Sequence, residues 1–303
     1  MPRLPLAALL LALAAVAPHA QTHARGEHIR VGVEGHGPHV VLVPGLASGP
    51  TTWNETVPGL DGYAVHRVTV AGFAGVPRVE ADSAGGMLDA VRDELAAYVA
   101  GLDGPAVVVG HSLGGFLAVR VAALRPAGLA GVVVVVVDAP AFMAALASAA
   151  PPDVDEIRAR FESGKPYMVN MTPDQVRANQ ETTLAQMVAD PSDVADLLRD
   201  NALTNPAASY QALVELVTTD ARPDLARVDV PALVVLAGAG YASFGAPDPA
   251  AVRAMYEPQY AGLDGVRVEV LPDVRHFLMR DDPEAFNAVL TAFLGETLPA
   301  RAQ

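Results

Sequence analysis

The chain has 303 residues, 51% of them hydrophobic, with no cysteine and a formal net charge of −14. That length and apolar content suit one large α/β domain, or one domain with a sizeable insertion, and exclude a disordered or fibrous chain. Without cysteine there is neither a disulfide nor a lipid-modified cysteine anchor, and an acidic balance with no basic cluster argues against nucleic acid or an anionic membrane surface as a partner.

Residues Leu4 to Ala17 are almost wholly apolar and follow Arg3, and Pro18-His19-Ala20-Gln21 then offers small residues before a polar stretch running to Glu27. Residues 1–20 therefore read as a secretory signal peptide cleaved after Ala20. The run is shorter than the roughly twenty apolar residues that span a bilayer. The mature protein is thus expected to be periplasmic or secreted, without stable membrane insertion. His28 to Glu34 alternates apolar and polar residues as a half-exposed antiparallel strand does, and Gly35 to Pro38 turns the chain, hairpin-like, into a strand at Val40 to Val43. Strand Ala64 to Val70, amphipathic helix Ser83 to Ala100 and strand Ala106 to Val109 follow. The helix Phe116 to Leu124 and the buried strand Val132 to Val137 continue the alternation.

Between Asp138 and about Pro231 the alternation stops. Helical stretches at Val154 to Glu162, Asp174 to Val188, Asp193 to Asn201 and Ala207 to Val217 succeed one another, with loop signals at Pro151-Pro152, Gly164-Lys165-Pro166 and Thr204-Asn205-Pro206. Residues 139–230 are read as a helical cap inserted into a core made of 21–138 and 231–303. Met143, Met168, Met171 and Met187 in the insertion are either the ordinary core of that cap or an adaptable apolar wall over a site. Strands at Ala232 to Leu236 and Val266 to Leu271 resume the core. A helix from Glu284 to Leu294, with Asp282 as N-cap and Pro283 at its first position, closes it.

The chemistry-bearing segment is Val107-Val108-Val109-Gly110-His111-Ser112-Leu113-Gly114-Gly115, a short apolar strand ending in G-x-S-x-G and running at once into a helical pattern. Flanking glycines let the chain turn sharply, which leaves the Ser112 hydroxyl clear of the backbone at the carboxyl edge of the sheet. The Leu113 amide then opens a helix whose N-terminus favours negative charge beside that hydroxyl. A serine needs a base, and His276, just past the last strand in Asp273-Val274-Arg275-His276-Phe277, stands at the same edge. His111 is read as structural. Trp53 and Phe73 follow strand ends at this edge, where they either line the acyl or alcohol pocket or simply pack. His36 and His39 have no third ligand nearby in sequence, so no metal site is expected.

Four stretches together resemble the α/β-hydrolase superfamily from about His28 to Leu294: Val41-Leu42-Val43-Pro44-Gly45-Leu46 with Trp53 downstream, Gly110 to Gly115, Val230-Pro231-Ala232-Leu233-Val234-Val235, and His276-Phe277 followed by Asp282-Pro283-Glu284. The resemblance implies a mostly parallel central sheet with helices on both faces and an inserted cap. It makes the Leu46 amide the second oxyanion donor beside that of Leu113. The turn that commonly carries the triad acid reads Ala237 to Gly245 here and contains no carboxylate. Asp138, directly after the valine strand, and Asp248, which precedes Pro249 and so also suits an N-cap, are the two candidates, with Asp138 the preferred one.

The activity implied is acyl transfer to water without a cofactor, foremost on carboxylic esters of small or medium apolar molecules. Lactones, carbon–carbon bonds beside a carbonyl, peracid formation, or a catalytically weak small-ligand-binding role remain alternatives. A serine at position 112 argues against the dehalogenase and epoxide hydrolase branches, which place an aspartate there. The sequence sets no oligomeric state.

Overall fold

The computed structural model describes residues 22–80, 86–135, 154–239 and 246–298. Eight strands form one sheet: β1 Thr22–Arg25, β2 Ile29–Gly35, β3 His39–Val43, β4 Ala64–Val70, β5 Ala106–His111, β6 Leu129–Val135, β7 Ala232–Ala237 and β8 Arg267–Leu271, ordered β1-β2-β4-β3-β5-β6-β7-β8. β2 runs antiparallel to both β1 and β4, and every pairing from β4 across to β8 is parallel. The central strands are nearly continuous runs of valine and leucine because both faces of a parallel sheet are covered. Every residue of β3, β5 and β7 is buried.

Helices α1 Met87–Ala100 and α2 Leu113–Ala123 flank β5 in the chain, and α8 Pro249–Tyr256, α9 Leu278–Asp281 and α10 Pro283–Thr297 complete the core. The insertion supplies α3 Val154–Val169, α4 Pro173–Met187, α5 Ser192–Asn201, α6 Pro206–Thr218 and the short α7 Arg222–Leu225. Their starts follow capping chemistry. Thr172 and Gln175 form a reciprocal capping box on α4, and Asn205 caps α6 through the Ala208 amide. Asp282 caps α10 through the Ala285 amide at 2.9 Å.

Several local expectations are corrected. Gly35 to Pro38 does not close a hairpin, since β4 lies between β2 and β3. The physical reason is burial: β3, buried at all five positions, sits where both faces of the parallel sheet are covered, between β4 and β5, whereas the half-exposed β2 suits a place nearer the sheet edge. α3 runs straight through Gly164-Lys165-Pro166. An internal proline forfeits one helical hydrogen bond, and α3 remains helical where it meets α6, with Lys165 Nζ 5.9 Å from the centre of the Tyr210 ring. The polar stretch before Glu27 contributes β1 to the sheet. α1 begins at Met87, because Gly86 has φ of +84° and is not helical. Its first amides are capped from the insertion, with Met87 N and Leu88 N donating to the Glu215 carboxylate at 3.0 and 2.7 Å.

Polar contacts fasten the inserted helices to the core. Arg280, its side chain only 4% exposed, ion-pairs with Asp193 and Asp196 of α5 at 2.8 and 2.9 Å. The Thr51 amide donates to Asp200 at 2.8 Å and the Thr204 hydroxyl donates to the Ala47 carbonyl at 2.9 Å. The Phe277 amide donates to the Met187 carbonyl at 3.2 Å. Among the described residues no helix is long and apolar enough to cross a membrane. The signal-peptide reading falls on residues 1–20, outside the described residues.

Candidate active site

Ser112 is the residue at which β5 becomes α2, and it holds φ of +52° and ψ of −119°, a backbone region that non-glycine residues rarely occupy. The surrounding structure enforces it. The Ser112 amide extends the sheet ladder by donating to the Val135 carbonyl of β6 at 2.9 Å, while the Ser112 carbonyl already accepts from Gly115 N and Phe116 N at 2.9 and 3.1 Å. Strand and helix therefore meet at one residue, as a nucleophile elbow requires. Both flanking glycines are sterically obligatory. A Cβ on Gly110 would lie 2.1 Å from the Gly114 carbonyl oxygen, and a Cβ on Gly114 would lie 2.1 Å from that of Val43.

That second close approach presses α2 against the end of β3, which carries the chain into Pro44-Gly45-Leu46. Gly45 in turn leaves room for the elbow, since a Cβ there would sit 3.1 Å from His111 Nδ1 and 3.2 Å from Ser112 Cβ. Leu113 is the first residue of α2, so its amide has no acceptor within the helix and carries the positive end of the helix dipole. Leu46, Ser112 and His276 line one cavity of about 300 Å³.

His276 lies between β8 and α9 and is held by its neighbours. Its carbonyl accepts from His111 Nε2 at 2.9 Å, and the two imidazoles meet edge to face with centroids 4.8 Å apart. Burial pushes His111 well below the usual histidine range, and the nearby His276 pushes it the same way. His111 is therefore neutral, with its one proton on Nε2. The flanking backbone is fixed too: Arg275 N and Ala189 N donate to opposite oxygens of Asp281 at 2.6 and 2.7 Å.

The remaining expectations resolve unevenly. Asp138 lies outside the described residues. Asp248 caps α8, accepting from Ala251 N at 2.8 Å. Trp53 and Phe73 are fully buried in the core and not among the residues lining the cavity. Trp53 stands edge-on to His111 at 6.4 Å and tilts against Phe286. Of the four cap methionines, Met168 and Met187 line the cavity and Met171 does not, while Met143 lies outside the described residues. His39 joins a chain at the other end of the sheet. Its Nε2 bonds Asp103 at 2.8 Å, its Nδ1 bonds His66 at 2.9 Å, and His66 bonds the Tyr98 hydroxyl at 2.7 Å. His36 is not part of that chain, and no group of three His, Asp or Glu among the described residues is placed to hold a metal.

Gly45, Ala47, Ser48 and His111 and the helices between β6 and β7 supply the rest of the lining. Leu184, Met187, Leu213, Leu216 and Val217 make an apolar wall, and the polar residues Asn179, Gln180, Thr183, Asn201 and Ser209 also line it. Reading the sequence missed these polar residues. One signal was present: Asn201 follows Leu197 and Leu198 at helical spacing, so a polar side chain interrupts the buried stripe of α5.

Known proteins resemble the chain in the same terms. A segment of the polyketide synthase ThaQ of Burkholderia thailandensis is 29% identical over 289 residues, covering 91% of this chain and 12% of that much longer protein. A pimeloyl-[acyl-carrier protein] methyl ester esterase of Shewanella sp. is 26% identical over 213 residues, covering 70% of this chain and 77% of the esterase. The solved structure of a thermophilic esterase from Thermogutta terrifontis superposes with a TM-score of 0.69 at 20% identity, covering 91% of this chain and 99% of the esterase. A family model spans residues 40–289, from the first buried parallel strand to the closing helix, and by that match the chain belongs to the alpha/beta hydrolase family.

Proposed function

We propose that the protein is a serine hydrolase that cleaves carboxylic esters of small or medium molecules through an acyl-enzyme on Ser112. One observation carries the reading: the single elbow residue held at positive φ is a serine, and its cavity also receives His276. In the proposed reaction His276 takes the Ser112 proton as the hydroxyl oxygen attacks the ester carbonyl, and the amides of Leu113 and Leu46 stabilise the oxyanion. His276 then protonates the departing alcohol. Water enters by the same route, losing its proton to His276, and releases the acid.

Asp138 is the proposed partner that orients His276. It follows closely after Val135, the residue bonded to the Ser112 amide, whereas the Asp248 carboxylate is engaged in capping α8. The cavity is at the small end of the range for ligand sites and has apolar walls, which supports short to medium acyl or alcohol groups. Export after removal of residues 1–20 is part of the proposal, and it predicts a mature chain beginning at Gln21.

A fluorophosphonate probe tests the reading. Labelling of wild type and none of Ser112→Ala is the expected outcome, with a panel of esters graded by acyl length then giving the preferred chain. Equal absence of labelling in both proteins would leave the chain a ligand-binding member of the fold and overturn the hydrolase reading.

A further inference from the structure

Thr204 lies between α5 and α6 and is buried, at 4% exposure. Its chain neighbours are fastened to the loop that follows β4: Gly75 N donates to the Leu203 carbonyl at 3.2 Å, and Asn205 N donates to the Gly72 carbonyl at 2.7 Å. Bonds on either side thus fix Thr204 against that loop. Its hydroxyl reaches two loops at once, accepting from Ala74 N at 3.4 Å and donating to the Ala47 carbonyl, in the loop after β3, at 2.9 Å.

Both alanines are strained. Ala47 holds φ of +57° and Ala74 φ of +46°, the region that favours glycine. Ala47 is the third residue of a turn closed by Ser48 N, which donates to the Gly45 carbonyl at 3.2 Å. Alanine keeps a positive φ at such a position only where the surroundings enforce it. Here hydroxyls hold the peptides on both sides of it: Ser48 Oγ donates to the Leu46 carbonyl at 3.3 Å, and Thr204 to that of Ala47. The Leu46 amide belongs to this four-residue turn, so its direction depends on the turn keeping its form.

We infer that Thr204 is a positioning residue, whose hydroxyl holds the strained turn that presents the Leu46 amide to the oxyanion. The inference rests on the proposed hydrolase activity and deepens it. It makes the inserted helices part of the catalytic frame and not only a wall of the cavity, because the segment joining two of them keeps an oxyanion donor in place.

The test compares Thr204→Val, which keeps the shape and removes the hydroxyl, with Thr204→Ser, which keeps the hydroxyl. On a short-chain p-nitrophenyl ester, Thr204→Val should lower kcat about tenfold with KM changed by less than about twofold, since outright loss of one oxyanion donor costs about 10²–10³ in kcat. Thr204→Ser should recover most of the loss. In an Ala47→Gly background the turn no longer has to be held against a Cβ, so Thr204→Val should there cost only about twofold. Should Thr204→Val not fold, Thr204→Ala replaces it with the same expectations. A kcat unchanged by loss of the hydroxyl, or a loss equal in the two backgrounds, would overturn the assignment and leave the hydrolase reading standing. If wild type turns over no ester, the hydrolase reading falls, and amide hydrogen exchange at Ser48, whose bond closes the turn, decides about Thr204. Exchange about tenfold faster in Thr204→Val than in wild type supports its hold on the turn, and equal exchange overturns it.

Discussion

Replacing Ser112 by glycine should make the protein more stable while removing the proposed nucleophile. Ser112 holds φ of +52°, where a Cβ is crowded, and a residue in so sparsely populated a region stores roughly 1–3 kcal/mol. Glycine relieves that strain but adds roughly 0.5–1 kcal/mol of backbone entropy to the unfolded chain. The backbone bonds to Val135, Gly115 and Phe116 survive because none involves the side chain. The net gain is about 0–2.5 kcal/mol, centred near about 1 kcal/mol, or about 2 °C in Tm for a protein of this size. Ser112→Ala is the reference, since it loses the hydroxyl but keeps the Cβ and its strain. Thermal unfolding followed by circular dichroism should place Ser112→Gly above Ser112→Ala by that interval. A lower Tm for glycine than for alanine would refute the claim that the elbow is strained.

Three further outcomes are expected. Arg280→Met should lower stability to urea by about 3–5 kcal/mol, because it leaves Asp193 and Asp196 without their buried partner; adding Asp193→Asn and Asp196→Asn should recover part of the loss. Burial, reinforced by His39, lowers the His66 pKa to about 4, so the native state binds fewer protons than the unfolded chain between about pH 6.5 and 4. Stability present above pH 6.5 should therefore fall, by at most about 3 kcal/mol, as the pH drops through that window, and urea titrations of His66→Gln should show a flatter profile. Asp138→Asn should reduce kcat by about four orders of magnitude if that carboxylate orients His276. Asp248→Asn, which keeps a good N-cap, should leave kcat near wild type; the opposite pattern would assign the acid to Asp248.

The sharp turn at Ser112 and the strands of the sheet were legible because both are written in short stretches. Val107 to Gly115 encodes its own turn, and valine-rich strands announce burial on both faces wherever they fall. What the sequence hid is set by contacts between distant segments. Glu215 caps α1 from another layer of the fold, and Pro166 stays helical in a segment that meets α6. Trp53 and Phe73 stand close to strand ends at the active edge, yet each turned into the core, Trp53 toward His111 and Phe286. Asn201 is among the residues lining the cavity because of how α5 docks, for which its place on the buried stripe was the only local sign.

The central claim is that Ser112 forms a covalent acyl-enzyme. Intact-mass spectrometry of the protein quenched in acid during turnover of a short-chain p-nitrophenyl ester tests it most directly, with peptide mapping to locate the adduct. One acyl group per chain on the peptide containing Ser112, absent in Ser112→Ala and strongly reduced in His276→Ala, which lacks the base for acylation, is the predicted result. Ester turnover with no adduct at Ser112, or with the adduct on another residue, would contradict it.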